Sequence, residues 1–146
     1  MSYSSFYSKF PEIAECETRV ITLLPGFNHK LPPGQYALCE MFCDEAGCDC
    51  RRVFFYVTGK DIKDVKAVIA YGWENREFYE KWMGEKDKII IDGLMGPVLN
   101  MGSPQSKYAH DILDMVKEIL LTDKKYVDRV KKHYAMFRAK IDGTAV

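Results

Sequence analysis

Three of the five cysteines of this chain, Cys43, Cys48 and Cys50, lie within eight positions in a C-x4-C-x-C pattern. Thiolates bind zinc, and clustered cysteines of a cytosolic protein are more often metal ligands or catalytic thiols than disulfides. On an extended chain Cys48 and Cys50 share a face, at about 7 Å between their Cα atoms. Gly47 permits the positive φ that often accompanies a tight return of Cys43 toward them. The pattern therefore predicts a metal site, with zinc as the expected ion.

A closed structural zinc site has four ligands, so a fourth residue is expected from elsewhere in the chain. His133 is the predicted fourth ligand, because it lies at the edge of the apolar face of a C-terminal helical segment. The alternative for His133 is a core-edge histidine that is hydrogen-bonded to a carbonyl group. If His133 is not a ligand, the fourth donor is Asp44, Asp49, His110 or a water molecule.

The other two cysteines are expected to lie outside the site. In a regular strand Cys39 is about 13 Å from Cys43, whereas thiolates on one zinc ion lie roughly 4 Å apart. Cys16 belongs to a different segment and is predicted to be buried as a small apolar residue.

Two arginines follow the cysteines and could balance the charge of a metal site. Zn²⁺ with three thiolates and a neutral imidazole carries a net charge of −1, so Arg51 and Arg52 are predicted to supply positive charge and N–H donors. Arg52 shares the strand face of Cys50 and is the expected closer partner. Two solvated arginines at a sheet edge are the alternative.

The surrounding pattern predicts an α+β fold that positions this loop. Strands are predicted at 18–24, 35–42, 51–57, 65–73 and 89–92, with the second and third forming an antiparallel hairpin around the cysteines. A short central helix ends at Gly84. Two C-terminal amphipathic helices, one with Ser106 as its N-cap and one starting after Thr122 or Asp123, pack on the sheet. Residues 1–12 are predicted to be a flexible N-terminus, and residues 13–146 a single globular domain.

The predicted core draws on every one of these elements. Its members are Val20, Leu23, Tyr36, Leu38, Val53, Phe55, Val57, Val68, Ile69, Ile112, Val116, Ile119, Val130, Tyr134 and Phe137. The strand 51–57 is apolar on both faces, which is typical of a central strand.

Composition narrows the class of protein. Lysine plus arginine and aspartate plus glutamate both number 21 in 146 residues, giving a net charge of zero that argues against nucleic acid as a partner. Because the start of the chain resembles no secretory signal and the sequence contains no membrane-length apolar run, we expect a cytoplasmic protein without membrane association.

Several segments together resemble an uncharacterised prokaryotic family. They are LPPGQYALCEMFCDEAGCDCRRVFFYV, IAYGWE, PQS and DKKYVDRVKKHYAMFR, so the resemblance covers about residues 18–140. Members share a CDCRRV motif and a C-terminal HY-x-x-F(K/R) helix. Some members also carry a C-terminal SEC-C zinc module, which we do not expect in this protein. The resemblance implies no established activity.

The site supports three hypotheses of function. The first is a structural zinc site in a protein-interaction or binding module with a protein or small-molecule partner. The second is a metal- or thiol-dependent enzyme that uses Cys43, Cys48 and Cys50, although no acid–base constellation accompanies them in the sequence. The third is a small-molecule or peptide binder whose pocket is lined by the aromatic residues of segment 71–82, although aromatics at strand and helix spacing more often form core.

Overall fold

The computed structural model describes residues 2–144, which form six strands, six α-helices and one π-helical turn. The strands are β1 (Tyr3–Ser5), β2 (Arg19–Leu23), β3 (Gly34–Cys43), β4 (Arg52–Lys60), β5 (Lys66–Gly72) and β6 (Val98–Leu99). The helices are α1 (Phe6–Lys9), α2 (Pro11–Glu17), α3 (Arg76–Met83), α4 (Lys88–Met95), α5 (Ala109–Met115) and α6 (Lys124–Asp142), with the π-helical turn Val116–Leu120 directly after α5. The fold is α+β, as predicted. Residue 1 of the predicted N-terminal segment 1–12 and residues 145 and 146 of the predicted domain 13–146 lie outside the described residues.

The six strands form one antiparallel sheet in which β3, β4, β5 and β6 are successive neighbours. β1 and β2 both pair with β3, β1 at its Cys43 end and β2 at its Gly34 end. The β3–β4 pair is the predicted hairpin around the cysteine loop, with Leu38 opposite Val57. β4 is therefore a central strand, as its two apolar faces indicate.

The main core lies between one face of β3 and β4 and the helix α6. The rings of Phe42 and Phe137 are 5.5 Å apart, and those of Phe55 and Tyr126 are 6.1 Å apart. All four side chains are buried, and each large apolar side chain removed from water contributes about 1.5–3 kcal/mol. This packing fixes the position of α6 relative to the hairpin, and therefore relative to the cysteine loop.

The capping residues of two helices agree with the sequence. α3 ends at Gly84, whose φ of 71° is left-handed and therefore suits glycine. α6 begins after Asp123, whose carboxylate accepts the backbone N–H groups of Lys125 and Tyr126. Ser106 lies before the start of α5, whose N-cap is Tyr108. The Ser106 side chain bonds the backbone of Lys66 and accepts the N–H of Tyr108.

The first residues fold differently from the predicted loose terminus. Within residues 1–12, β1 pairs with β3, and α1 follows directly with the Ser5 side chain accepting the N–H of Ser8 at 3.1 Å. The ring of Phe6 is buried and stacks on His133 at 4.2 Å. The strand and helix are three and four residues long, so neither contains two full repeats of its hydrophobic pattern.

The predicted strand 89–92 is wrong, because these residues belong to α4. Asp87 caps this helix by accepting the N–H groups of Ile89 and Ile90. Only Ile91 of the isoleucine run is buried, and Ile89 is 84% exposed. The period of a short apolar run is the same evidence for a strand as for a helix. Here the N-cap at Asp87 indicates the helix.

Two predicted core residues lie at the surface. Val20 is 39% exposed, because strand alternation turns its neighbours Ile21 and Leu23 inward instead. Ile119 is also 39% exposed, since the wider π-helical turn directs Leu120 to the core. The other predicted core residues are buried.

Candidate metal centre

The cysteine loop joins the end of β3 to the start of β4 and brings three sulfurs together. The Sγ atoms of Cys43, Cys48 and Cys50 all lie within 4.8 Å of one another, close to the roughly 4 Å expected for thiolates on one zinc ion. Cys43 and Cys50 are buried, and Cys48 is partly exposed. Gly47 has a φ of 75°, the left-handed conformation that the sequence indicated for the return of the chain.

Backbone N–H groups two positions after each cysteine, those of Glu45, Cys50 and Arg52, lower the pKa of the Cys43, Cys48 and Cys50 thiols. Burial has the larger effect, so the pKa of all three thiols is raised. A bound cation would supply the charge that deprotonates them, since metal ligation requires thiolates.

Arg138 is a neighbour of the cluster that the sequence analysis missed. This buried side chain of α6 donates to the carbonyl oxygens of Cys43 and Glu45, the latter at 2.7 Å. Its guanidinium group also lowers the pKa of the Cys43 thiol. A positive charge at this place offsets the negative charge of a metal with three thiolates.

The two predicted arginines take different positions. Arg52 is buried, donates from Nε to the carbonyl oxygen of Leu94 at 2.9 Å, and its charge lowers the pKa of the Cys50 thiol. Arg51 turns away from the cysteines, pairs with Asp49 at 2.9 Å and lies over the Phe78 ring at 4.5 Å. The positive charges that act on the cysteine thiols therefore come from Arg52 and Arg138.

Tyr3 brings the N-terminal strand to the same place. Its backbone pairs with Cys43, and its ring stacks on Phe54 at 4.3 Å. Its hydroxyl accepts a hydrogen bond from Arg52 at 3.1 Å. Burial raises the pKa of Tyr3, and the nearby charges of the three cysteines add to the rise. Strand β1 thus closes one side of the cluster.

The structure does not bring His133 to the three cysteines. Both of its ring nitrogens are engaged by carboxylates, Nδ1 with Glu40 at 2.8 Å and Nε2 with Glu17 at 2.7 Å. Its side chain faces the middle of β3, whereas the cysteine loop lies beyond the end of that strand. These surroundings are close to the alternative considered for His133, a core-edge histidine hydrogen-bonded to a carbonyl group. Here the oxygen partners are the carboxylates of Glu40 and Glu17.

The other candidates for a fourth ligand have different surroundings. Asp44 accepts hydrogen bonds from Ser2 and Ser4, and Asp49 pairs with Arg51. His110 is exposed on α5. Among the described residues, the three cysteines are the only group of histidine, cysteine or acidic side chains that could hold a metal ion.

Cys39 and Cys16 lie outside the cluster. Cys39 is exposed on β3 opposite Tyr56, as strand geometry predicts. Cys16 is exposed on α2, so the prediction of a buried thiol is wrong. Its side chain falls on the solvent side of α2, whose buried residue is Ala14.

Three side chains of α6 bind the cysteine loop at intervals of four residues. The hydroxyl of Tyr134 accepts the N–H of Arg51 at 3.0 Å, Arg138 donates to the loop as described, and Asp142 accepts the N–H of Gly47 at 2.8 Å. Residues four apart share a face of a helix. This spacing is visible in the sequence, but its meaning depends on knowing that α6 runs beside the loop.

The aromatic segment 71–82 forms part of the core. Tyr79 is buried and donates to the carbonyl oxygen of Arg51 at 2.8 Å, and Trp73 packs edge-on against Tyr134. A Cβ at Gly72 would overlap the Tyr79 hydroxyl. These contacts support a packing role for the aromatics.

No family model, curated protein or solved structure matches the chain. The resemblance to the uncharacterised prokaryotic family therefore stays a prediction. Within residues 2–144, every helix is too short or too polar to cross a membrane.

Proposed function

We propose that this protein is a zinc-stabilised binding module in which Cys43, Cys48 and Cys50 hold one structural zinc ion. The carrying observation is the convergence of three sulfurs within 4.8 Å of one another, in a loop whose backbone N–H groups lower the pKa of each thiol. Fixed N–H donors to sulfur orient thiolates and stabilise their negative charge on a metal. The closed four-ligand shell is completed by a carboxylate of the same loop, Asp44 or Asp49, on leaving its present partner.

Charge supports zinc at this place. Zn²⁺ with three thiolates has a net charge of −1, and the buried guanidinium groups of Arg52 and Arg138 lie near it. A soft thiolate set selects zinc over magnesium or calcium, which take oxygen ligands. Free thiols also agree with a reducing cytoplasmic location, which is part of this proposal.

The loop is a junction, which favours a structural role. It connects β3 to β4, β1 pairs beside Cys43, and α6 bonds to it through three side chains. An ion here would fix elements that are far apart in sequence, so its binding free energy becomes folding free energy. We propose that the partner of such a module is a protein or a small molecule. On the same cysteine motif, we also propose that the chain belongs to the uncharacterised prokaryotic family that it resembles.

The second candidate is a metal- or thiol-dependent enzyme that uses the same cysteines. It is favoured by the number of ligands, since three protein ligands plus water is the usual arrangement of a catalytic zinc site. The surroundings favour it less, because Asp49 is paired with Arg51, and Asp44 is bonded to Ser2 and Ser4. General base catalysis needs a carboxylate or imidazole free to take a proton.

The test measures zinc per chain and the thermal midpoint of protein purified without an affinity tag. We expect one zinc ion in the wild type and its loss, with a lower midpoint, in Cys43→Ser, Cys48→Ser and Cys50→Ser. Cys39→Ser and Cys16→Ser are matched controls that should keep the metal. Wild-type protein without metal, prepared without chelators, would contradict the proposal.

Cobalt substitution separates the two candidates. In a closed structural site the visible bands of Co²⁺ stay unchanged when azide or imidazole is added. Bands that shift on addition would show an exchangeable position and would favour the enzyme.

A further inference from the structure

The cysteine loop leaves one of its three cysteines open to solvent. Cys43 and Cys50 are buried, whereas Cys48 is partly exposed and lies between the exposed residues Gly47 and Asp49. A Cβ added at Gly47 would meet no atom within 4 Å, so the tip of the loop is open. A small molecule from solvent therefore reaches the cluster first at Cys48.

Metal ligation would keep the sulfur of Cys48 in its reactive form. Cysteines bind zinc as thiolates, and the thiolate is the form that reacts with oxidants. Susceptibility to oxidation follows thiolate character and exposure together. In the zinc site Cys48 combines the two, whereas Cys43 and Cys50 are thiolates without exposure. The inference drawn from this difference rests on the zinc site proposed above.

Cys43 is positioned to react with an oxidised Cys48. The two sulfurs lie within 4.8 Å of each other, and the N–H of Cys48 donates to the carbonyl oxygen of Glu45 at 3.3 Å, which turns the chain back toward the end of β3. Cys50 is less suitable, because Cα atoms two residues apart on an extended chain are separated by about 7 Å. A disulfide spans roughly 4.4–6.8 Å between Cα atoms.

Helix α6 holds the loop through groups other than the sulfurs. Arg138 donates to the carbonyl oxygen of Cys43, and Asp142 accepts the N–H of Gly47, the residue before Cys48, at 2.8 Å. These bonds fix the backbone beside both cysteines. They involve no thiol, so they stay in place when the two sulfurs change partners.

We propose that Cys48 is a site of oxidation by hydrogen peroxide, and that this oxidation joins Cys48 to Cys43 in a disulfide and releases the zinc ion. The Cys48 thiolate attacks one peroxide oxygen, the O–O bond breaks, and a proton from solvent converts the leaving hydroxide to water. The Cys43 thiolate then attacks the sulfur of the resulting sulfenic acid, and a second hydroxide leaves and is protonated to water. Two electrons pass from the two sulfurs to the peroxide, and the zinc ion loses two thiolate ligands.

The test uses the double variant Cys16→Ser, Cys39→Ser, which keeps the cluster and lacks the two exposed thiols outside it. Zinc per chain is measured first, a small excess of hydrogen peroxide is added, and zinc release is followed with a chromogenic chelator. Free thiols are then blocked with N-ethylmaleimide, and peptide mapping without reductant identifies the linked pair. We expect the loss of one zinc ion per chain together with a Cys43–Cys48 linkage.

Two further measurements check the site and the reversal. Dimedone present during oxidation should trap the sulfenic acid at Cys48, because the other two cysteines are buried. Dithiothreitol should restore both thiols and zinc binding, while it is itself oxidised to its cyclic disulfide. Wild-type protein should release zinc at the same rate as the double variant, since Cys16 and Cys39 lie outside the cluster.

The outcomes separate this proposal from the zinc site itself. Protein that is purified with zinc and keeps it in peroxide would overturn the oxidation proposal and leave the zinc site standing. A Cys48–Cys50 linkage, or dimedone on Cys43 or Cys50 in place of Cys48, would do the same. Protein purified without zinc would contradict the zinc site, and mapping would then decide the disulfide alone. In that protein a Cys43–Cys48 linkage would support the disulfide, and free thiols would overturn it.

Discussion

At the scale of single residues, His133 is the buried group with the most unusual surroundings. It is 1% exposed and lies between two carboxylates, with Glu40 from β3 on one nitrogen and Glu17 from α2 on the other. Burial alone would lower the pKa of His133, but the hydrogen bonds and charges of Glu40 and Glu17 together outweigh burial and raise it. Below this raised pKa the protonated ring joins α2, β3 and α6.

This raised pKa predicts a specific pH dependence of stability. The contribution of His133 is complete below the unfolded value of about 6.5 and is lost as pH rises through the higher pKa of the folded state. The contribution of Glu17 to stability depends on pH in the opposite direction. The hydrogen bond with His133 lowers the pKa of Glu17, so this contribution is lost only as pH falls into the acid range. The stability difference between the wild type and His133→Gln, measured by urea unfolding, should therefore be constant below about pH 6.5 and fall as pH rises above it.

An exposed histidine provides the control for this measurement. His110→Gln changes a solvent-exposed position of α5 and should leave the pH profile of the wild type unchanged. A wild-type advantage over His133→Gln that grows between pH 6.5 and pH 9 would contradict the protonated assignment.

At the scale of elements, α6 supports the cysteine loop through Tyr134, Arg138 and Asp142. Arg138→Gln removes the buried charge and shortens the reach to the carbonyl oxygens of Cys43 and Glu45. We expect a loss of about 2 kcal/mol or more in the free energy of unfolding. Zinc affinity, measured by competition with a chelator, should fall about 10- to 100-fold, as for other outer-shell changes.

The matched control is Lys140→Gln, which removes a positive charge from an exposed position of the same helix end. Its zinc affinity should equal that of the wild type. An Arg138→Gln protein that binds zinc as tightly as Lys140→Gln would show that α6 does not act on the site.

Elements with a long hydrophobic pattern were predictable from the sequence. β3, β4, β5 and α6 lie close to their predicted positions, since each repeats its period several times. β1 and α1 are too short to repeat a period, and α4 depends on its cap at Asp87. The cysteine cluster was predictable because its three members are neighbours in the sequence.

At the scale of the whole molecule, the core between the sheet and α6 carries the stability. Phe55 of the central strand is buried, opposite Glu40 and Ile69 in the sheet. Phe55→Ala should cost about 3–5 kcal/mol in urea unfolding, because it removes apolar contacts and leaves a cavity. Phe27→Ala, at a residue that is 70% exposed, should cost far less. A loss below about 1 kcal/mol at Phe55, less than any full core truncation, would contradict this view of the core.

The surroundings of the cysteines were not predictable, because they come from distant parts of the chain. Tyr3 precedes Cys43 by 40 positions (43 − 3), and Arg138 follows it by 95. Local sequence patterns do not show which distant side chain will contact a loop. The sequence analysis named His133 as a ligand and missed Arg138, although Arg138 is the residue that bonds the cysteine loop. Tertiary packing decides such contacts.

The long separation between α6 and the cysteine loop has a consequence for the order of events during synthesis. The β3–β4 hairpin, with all three cysteines, is complete once residue 60 has been made. Local contacts form first, because closing a long loop costs more entropy. If the proposed zinc site is correct, the hairpin can therefore bind zinc on the emerging chain, and α6 docks later over a loop that already holds the ion.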